Sequence, residues 1–160
     1  MTMKLKMIVA PGAELPQYAT EGSAGFDLKV TSVLQYTDAL MKMNEKKENG
    51  FTIAPLSRIL VGTGLFPEVP AGYEIQIRPR SGMCLKQGIT VLNSPGTIDS
   101  DYRGEIGIIL YNSSNTYQEI TFGERVAQGV LTVVERALFE KVSVLSETER
   151  ADGGFGHTGK

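Results

Sequence analysis

The most informative segment of this chain is Gly96-Thr-Ile-Asp-Ser-Asp-Tyr-Arg-Gly-Glu105, which places two aspartates between glycines. It follows Ile89-Thr-Val-Leu-Asn93 and precedes Ile106-Gly-Ile-Ile-Leu110, two runs with the β-branched, apolar composition typical of strands. The sequence therefore predicts a hairpin whose turn carries Asp99 and Asp101. Such a turn presents carboxylates to a ligand while the strands hold them in place.

The composition excludes several classes of function. A length of 160 residues, 41% of them hydrophobic, suits one domain with an ordinary core. With 16 Lys and Arg against 18 Asp and Glu, there is no general positive field for nucleic acid, so a small anionic ligand fits better. No stretch approaches the roughly 18 apolar residues of a membrane span, and Lys4 and Lys6 interrupt any apolar leader. We therefore expect a soluble, cytoplasmic protein.

The scarcity of His and Cys limits the catalytic chemistry. A Cys–His pair would have to join Cys84 to His157, and one chain cannot build a His/Cys metal cage. We interpret Cys84, which follows an apolar turn, as a buried and unreactive thiol. Carboxylates are the remaining candidates: strand alternation predicts that either Asp99 or Asp101 faces inward, as a possible base. Stabilisation of the turn is the alternative role for both.

Short β-like segments recur along the chain between turn residues. Together with 18 glycines and 7 prolines, they predict an all-β sandwich or barrel. Further strands are predicted at Lys4–Val9, Arg58–Val61, Tyr73–Arg78, Gln118–Phe122, Val126–Val134 and Leu138–Val144. One short helix is predicted at Ser81–Lys86, with Ser81 near its N-cap.

Two segments depart from this β pattern. Residues 36–50, rich in Lys, Glu, Met and Asn, are predicted to form an inserted, exposed excursion, either a helical turn or a hairpin arm. The glycine-rich tail Ser146–Lys160 buries little and is expected to be mobile until a ligand orders it. We therefore divide the chain into a β domain, residues 1–149, and a flexible lid, residues 150–160. A disordered tail is the alternative to a lid.

Two polar segments suggest a phosphate site. In Arg78-Pro-Arg-Ser-Gly82, guanidinium groups offer planar forks for phosphate, the Ser hydroxyl adds a donor, and Gly82 lets a backbone N–H approach closely. A solvated surface is the alternative for so short a pattern. Asp27 lies among apolar residues in Ser23-Ala-Gly-Phe-Asp-Leu28. Because an unpaired charge is unfavourable there, we expect an Arg partner for Asp27.

Taken in order, five segments resemble the motifs of the trimeric dUTPase family. They are Ala24-Gly-Phe-Asp-Leu28, Arg78-Pro-Arg-Ser-Gly82, Gly96-Thr-Ile-Asp-Ser-Asp-Tyr-Arg-Gly104, Gly123-Glu-Arg-Val-Ala-Gln128 and Arg150-Ala-Asp-Gly-Gly-Phe-Gly156. One motif would be weak support for this resemblance, but five motifs in the right order make the probability of a chance match very small. Two features depart from the family pattern: the excursion at residues 36–50 is long, and His157 stands where the tail commonly carries Ser.

The resemblance implies a jelly-roll-like distorted β-barrel with one short helix, assembled as a homotrimer with active sites shared between subunits. The implied reaction hydrolyses dUTP to dUMP and pyrophosphate, which limits uracil incorporation into DNA and supplies dUMP for thymidylate synthesis. Mg²⁺ would be held by the triphosphate and waters and not directly by the protein. The implied partners are dUTP and sister subunits, without nucleic acid or membrane.

The resemblance also implies a role for each site residue. Asp99 matches the general base that deprotonates the attacking water, and Asp27 matches a structural acid that orients metal-bound water. The phosphate contacts are Arg80, Ser81, Gly82, Gln128 and Arg150. The nucleoside contacts are Asn93, Thr97, Ile98 and Gly107 at the uracil edge, Tyr102 against the deoxyribose, and Phe155 with Gly156 in the lid.

Two other classes of function share these features. dCTP deaminases have the same fold but attack the cytosine ring, and the Asp-Tyr-Arg-Gly-Glu pattern with the complete fifth motif favours the pyrophosphatase. A non-catalytic trimer that binds nucleotide and regulates a partner through the excursion is the second alternative. The joint presence of Asp99, Tyr102 and Arg150 disfavours it.

Overall fold

The computed structural model describes residues 3–36 and 46–154. Within these ranges the chain forms thirteen β-strands and one α-helix. The strands are β1 (Lys6–Val9), β2 (Phe26–Lys29), β3 (Ser32–Tyr36), β4 (Lys46–Lys47), β5 (Gly50–Ile53), β6 (Arg58–Gly62), β7 (Leu65–Glu68), β8 (Tyr73–Pro79), β9 (Ile89–Val91), β10 (Gly96–Ile98), β11 (Gly107–Asn112), β12 (Gln118–Thr121) and β13 (Arg125–Val133). The helix α1 is Ser81–Gln87.

The described strands are arranged in four sheets, with the orders β1-β7, β10-β8-β13-β2, β3-β6-β11-β9 and β12-β5-β4. The predicted all-β class with one short helix is confirmed, although the hydrogen bonds of the described ranges do not close these sheets into one barrel. In the second sheet β8 lies between β10 and β13, with Ile98 opposite Ile75 and Gly129 opposite Ile77. This central strand positions two of the motifs.

Alternation along the strands builds the core between the sheets. β8 buries Ile75 and Ile77, and β11 buries Ile108 and Leu110, while the intervening residues of both strands remain at least partly exposed. Each such side chain stabilises the fold by about 1.5–3 kcal/mol when it is fully buried.

Asn112, at the end of β11, is a fully buried polar residue in this core. Its Nδ2 donates to the carbonyl oxygens of Ile53 and Ala54 at 3.0 and 3.1 Å. The same nitrogen donates to Thr116 O at 2.8 Å, and Oδ1 accepts from Ser114 N at 2.9 Å. Because a buried amide is stable only when it is hydrogen-bonded, Asn112 fixes the end of β5 and the turn before β12 relative to β11.

Most strand predictions are confirmed, with ends that shift by no more than two residues. The prediction at Leu138–Val144 is wrong, because this segment contains no strand. Leu138 and Phe139 are 97% and 94% exposed, so the segment has β-like composition without a partner strand among the described residues.

The short helix is confirmed with the predicted start, and it ends one residue later than predicted. Arg80 is the N-cap residue and makes no side-chain cap, Ser81 is the first helical residue, and Gly88 ends the helix in the left-handed region at φ 69°. Only Met83 of the helix is buried. Cys84 is half-buried, so the prediction of a buried thiol is wrong.

The predicted excursion at residues 36–50 is described only at its ends. Tyr36 ends β3, and Lys46–Lys47 pairs with Gly50 and Phe51 across a tight turn. This hairpin matches the hairpin-arm alternative for residues 46–50, whereas residues 37–45 lie outside the described ranges. Among the described residues, no helix is long and apolar enough to span a membrane.

Candidate functional site

The predicted site residues form two groups at opposite ends of β8. The second motif continues from the carboxyl end of β8 into α1, where it places Arg80. The third motif starts in β10, and the pairing of Ile98 with Ile75 brings Asp99 beside Glu74, near the amino end of β8. At about 3.3 Å per residue, the backbone from Glu74 to Arg80 spans roughly 20 Å. One chain therefore does not bring Asp99 and Arg80 together.

The first group lines a cleft of about 390 Å³ between β2, β13 and the start of α1. The predicted residues in its wall are Asp27, Arg80, Ser81, Gly82 and Gln128. The structure therefore gathers the first, second and fourth motifs into one site. This group is called the phosphate cleft below.

Asp27 forms ion pairs with two arginines in the phosphate cleft. Its Oδ1 lies 3.1 Å from Arg80 Nε, and its Oδ2 lies 2.9 Å from Arg125 Nη1. Arg80 Nη1 also donates to the carbonyl oxygen of Arg125 at 3.0 Å. The expected Arg partner of Asp27 is confirmed twice over. The cluster keeps a net positive charge and holds the Arg80 guanidinium in one orientation, as recognition of an anion requires.

Gln128 is held at the floor of the phosphate cleft. In the strand register it lies opposite Asp27 on β2 and Arg78 on β8. Its Nε2 donates to Pro79 O at 2.9 Å. Gly25 faces the other side of this amide, where an added Cβ would lie 2.6 Å from Gln128 Oε1. The absence of a side chain at Gly25 thus leaves the space that the Gln128 amide occupies.

The second group lies between β9 and β11. These two strands pair as predicted, but the segment between them forms β10, which pairs with β8 in the other sheet. Residues 99–106 therefore cross from one sheet to another, and the predicted simple hairpin turn is wrong. The cause is an additional strand, Gly96–Ile98, that follows the Ser94–Pro95 turn.

Asp99 and Asp101 are both exposed, so the prediction that one of them faces inward is wrong. Alternation ends at Ile98, the last residue of β10, and does not extend to either acid. Asp99 and Asp101 line a cleft of about 520 Å³ together with Glu74 and Arg136. Asp99 is accessible to a water molecule and a substrate from outside the chain.

The loop after Asp99 is held by its own side chains. Tyr102 N donates to Asp99 O at 3.2 Å, and Arg103 Nη1 donates to the carbonyl oxygens of Ser100 and Tyr102, both at 2.8 Å. The Tyr102 hydroxyl donates to Glu105 O at 2.9 Å. The ring is 42% exposed and lies where a Cβ on Gly104 would overlap it. Tyr102 is thus an accessible aromatic surface with a fixed hydroxyl end.

The remaining residues of the second group lie beside this loop. Leu92 N donates to Ile109 O at 2.9 Å, which brings Asn93 next to the start of β11 at Gly107. Thr97 is exposed and Ile98 is buried on β10. Asn93, Thr97, Ile98 and Gly107 therefore surround the same loop as Asp99 and Tyr102, and the whole group is called the nucleoside group below.

Arg150 of the tail joins neither group within one chain. Arg150 lies in the exposed segment after β13, where its Nε donates to Gly153 O at 2.8 Å. It is not among the residues that line the two clefts. Phe155 and Gly156 lie outside the described residues.

Sequence reasoning missed the roles of three residues. Arg125 is the second partner of Asp27, and an antiparallel pairing of the first and fourth motifs would have indicated it. Gly25 leaves room for Gln128, and no sequence signal distinguishes it from a turn glycine. Glu105 received no role from the sequence, but its Oε1 accepts a hydrogen bond from Gly64 N at 2.7 Å.

A further cleft of about 450 Å³ adjoins the phosphate cleft, with Asp27 and Arg125 in the shared wall. Across it Lys29 Nζ lies 2.6 Å from Glu14 Oε2. The hydrogen bond from Lys29, and then its charge, lower the pKa of Glu14. Within residues 3–36 and 46–154, no group of three or more His, Cys, Asp or Glu side chains is arranged to hold a metal ion.

The dUTPase family model matches residues 46–159 of this chain. A deoxyuridine 5'-triphosphate nucleotidohydrolase from Finegoldia magna is 49% identical over 157 residues, which cover 98% of this chain and 99% of that protein. The protein of the same name from Nautilia profundicola is 48% identical over the full length of both chains.

Solved structures show the same fold at lower identity. The dUTPase of Staphylococcus bacteriophage 80alpha with dUpNHpp is 20% identical and covers 99% of this chain and all of its own, with a TM-score of 0.81. A mutant dUTPase from phage phi11 of S. aureus, described with a structural Mg(II) ion, is 17% identical and covers 91% of this chain and all of its own, with a TM-score of 0.73.

Proposed function

The chain belongs to the dUTPase family, and we propose that it hydrolyses dUTP to dUMP and pyrophosphate. The observation that carries this reaction is the division of the site into a positively charged phosphate cleft and a separate loop with an accessible carboxylate, Asp99. Hydrolysis of a triphosphate needs dispersed positive charge at one end and a fixed base for water at the other. The product dUMP supports thymidylate synthesis, and removal of dUTP limits uracil incorporation into DNA.

In the proposed mechanism the phosphate cleft binds the triphosphate. Arg80 Nε and Nη1 bind Asp27 and the Arg125 carbonyl oxygen. The remaining N–H groups of the Arg80 guanidinium are proposed to donate to phosphate oxygens. Ser81 and Gly82 open α1 and supply a hydroxyl and backbone N–H groups, while Gln128 adds an amide. These groups stabilise the charge that moves to the leaving pyrophosphate.

Asp99 acts in the proposed mechanism as the general base. Its exposed carboxylate accepts a proton from the water that attacks the α-phosphorus. The hydrogen bond from Tyr102 N to Asp99 O holds the backbone of Asp99 in place. The P–O bond to the β-phosphate breaks, and pyrophosphate leaves with the bonding electrons. Arg150 and the tail, residues 150–160, are assigned to a lid that contacts the γ-phosphate, stacks Phe155 on the base and excludes bulk water.

Mg²⁺ is proposed to be held chiefly by the triphosphate, where it would neutralise phosphate charge and orient the phosphate groups for in-line attack. The described residues fit this arrangement, because both Asp27 oxygens already face guanidinium groups. Asp27 is the acid in the cleft that can orient metal-bound water while it fixes Arg80.

We propose a homotrimer in which each site combines segments of different subunits. The separation of Asp99 from Arg80 along β8 supports a shared site, because neither group alone forms a complete one. The segment after β13 supports oligomerisation, because Leu138, Phe139, Val144 and Leu145 are 80–97% exposed. Several exposed apolar side chains in one segment are typical of an interaction surface.

The proposed function is tested by pyrophosphate release from dUTP, from dATP, dCTP, dGTP and dTTP, and from UTP, with Mg²⁺ present. dUTP should be the preferred substrate, with dUMP and pyrophosphate formed in equal amounts. Release of ammonia from dCTP would instead assign the chain to the deaminase class. Tight binding of dUTP without turnover would support the non-catalytic alternative.

Gly25→Ala is expected to weaken dUTP use by about tenfold in kcat/KM, because the new methyl group displaces the Gln128 amide from the phosphate cleft. The melting temperature should change little, since Gly25 is half-exposed. Gly22→Ala is the matched control, since nothing lies within 4 Å of a Cβ at that position of the same loop. Equal kinetics for both variants would contradict the role of Gln128.

Tyr102→Ala is expected to narrow the preference for dUTP over UTP. The accessible ring of Tyr102 is proposed to pack on the deoxyribose and leave no space for a 2′-hydroxyl. Removal of the ring should reduce the kcat/KM ratio of dUTP to UTP by about tenfold or more. If the ratio measured for the variant equals that of the parent, another group selects the sugar.

A further inference from the structure

We infer that Glu105 is a positioning residue for sugar selection, because it clamps the loop that carries Tyr102 to the turn between β6 and β7. The inference rests on the proposed function, in which Tyr102 lies against the deoxyribose. Glu105 does not line either cleft and does not touch the substrate in this proposal. It acts through the position of its own main chain.

The clamp begins with the Glu105 side chain. Its Oε1 accepts a hydrogen bond from the Gly64 backbone N–H at 2.7 Å, although the two residues are 41 positions apart. Hydrogen bonds to an ionised carboxylate are shorter and stronger than those between neutral groups. Gly62 is buried and leaves room for this carboxylate, because a Cβ at Gly62 would overlap Glu105 Oε1.

The main chain after Glu105 is fixed to the same turn. Ile106 N donates to Leu65 O at 2.8 Å, and Thr63 Oγ1 donates to Ile106 O at 2.9 Å. Thr63 and Ile106 are both buried, so these bonds are protected from water. The carbonyl group of Glu105 thus lies between a side-chain anchor and a backbone anchor.

That carbonyl oxygen is the acceptor for the Tyr102 hydroxyl at 2.9 Å. Gly104 lies under the ring and has no side chain to displace it. Because the ring is 42% exposed, core packing alone does not fix it. The bond to Glu105 O therefore determines where the far end of the ring lies.

Selection against the 2′-hydroxyl group of UTP depends on the position of the Tyr102 ring. If the Tyr102 ring moves by about 1 Å, the site admits a substrate atom that the original position of the ring excludes. A misplacement of that size changes reaction rates by up to about 100-fold. A site held by supporting residues is more accurate than one on a free loop. Loss of the Glu105 clamp should therefore relax sugar selection more than it slows turnover of dUTP.

The test compares four variants by kcat and KM for dUTP and UTP. Glu105→Ala removes the clamp and should lower the kcat/KM ratio of dUTP to UTP by about tenfold, mainly through better use of UTP. Glu105→Gln retains an acceptor oxygen and should keep most of the ratio. Gly62→Ala displaces the carboxylate from the opposite side and should reproduce Glu105→Ala. Tyr102→Phe removes only the hydroxyl and should also lower the ratio.

Glu124→Ala is the matched control. Glu124 Oε2 accepts from Thr121 N at 3.2 Å in the turn before β13, which is the same kind of contact in another part of the molecule. Its sugar preference should equal that of the parent. Hydrogen exchange at the Gly64 amide supplies a readout that does not depend on activity, and it should become faster in Glu105→Ala but not in Glu124→Ala.

Each outcome decides the inference. If Gly64 exchange is unchanged in Glu105→Ala, the clamp does not exist in solution. If Gly64 exchange accelerates while Glu105→Ala, Gly62→Ala and Tyr102→Phe keep the parental ratio, the clamp does not position the sugar gate. A parent enzyme that does not prefer dUTP over UTP would instead overturn the proposed function. Should Glu105→Ala fail to fold, Gly62→Ala and Tyr102→Phe decide together, because the first displaces the Glu105 carboxylate and the second removes the hydroxyl that binds Glu105 O.

Discussion

Asp99→Asn is expected to lower kcat for dUTP by about 10²–10⁴-fold while nucleotide binding is retained, as loss of a general base predicts. The substitution keeps the size of the side chain and one acceptor oxygen, but it replaces the other oxygen with an NH₂ donor and removes the capacity to take a proton at neutral pH. Binding should survive because the phosphate contacts lie in a different cleft. Pyrophosphate release measures turnover, and calorimetry with a non-hydrolysable dUTP analogue and Mg²⁺ measures affinity.

Asp101→Asn is the control for this experiment. Asp101 is exposed and lines the same cleft as Asp99, so its removal changes the local charge by the same amount. Its turnover should stay within a few-fold of the parent, since exposed charges interact weakly through water. Equal losses in both variants would mean that the charge of the cleft, and not a base at Asp99, supports the reaction. An unchanged rate in Asp99→Asn would remove Asp99 from the mechanism.

The β class and most strand positions were predictable because their causes are local. Alternation in Tyr73–Pro79 and Gly107–Asn112 reports which residues face the core, and turn residues mark the ends. The pairing of strands was not predictable in the same way. β10, only three residues long, pairs with β8, and nothing in Gly96–Ile98 itself specifies that neighbour.

Leu138–Val144 shows where local reasoning fails for a different cause. Its composition is typical of a strand, yet a strand exists only where another backbone accepts its hydrogen bonds. The described ranges 3–36 and 46–154 offer no such neighbour to this segment, and its apolar side chains remain exposed. The composition of a segment can therefore reflect a partner that lies outside the chain.

The chemistry of the site was predictable to a similar extent. An acid among apolar residues predicts a cation, and Asp27 has two, but the identity of Arg125 depends on the pairing of β2 with β13. The family resemblance indicated which residues act together, and the structure divides them between two clefts. Glu105 received no role because the sequence does not show which acid binds a distant backbone N–H.

Mixing Asp99→Asn chains with Arg80→Met chains is expected to restore activity that neither parent has. Roughly 20 Å of extended strand separates the positions of these residues in one chain, so we propose that each site takes Asp99 from one subunit and Arg80 from another. In a mixed homotrimer, an Arg80→Met chain can supply Asp99 to a site whose Arg80 comes from an Asp99→Asn chain. With equal amounts and random assembly, about a quarter of the sites receive both intact residues.

The experiment requires that both variants assemble and that subunits exchange. The chains are unfolded and refolded together, size-exclusion chromatography checks the trimer, and chains of different mass reveal mixed species. The double variant Asp99→Asn/Arg80→Met, refolded with itself, is the control in which no site can be restored under any arrangement. Recovery of about a quarter of parental activity in the mixture supports the intersubunit site, because a site built from one chain leaves every combination with a defective residue. If mixed trimers form and remain as inactive as the double variant, Asp99 and Arg80 act within the same chain, and the proposed shared site is wrong.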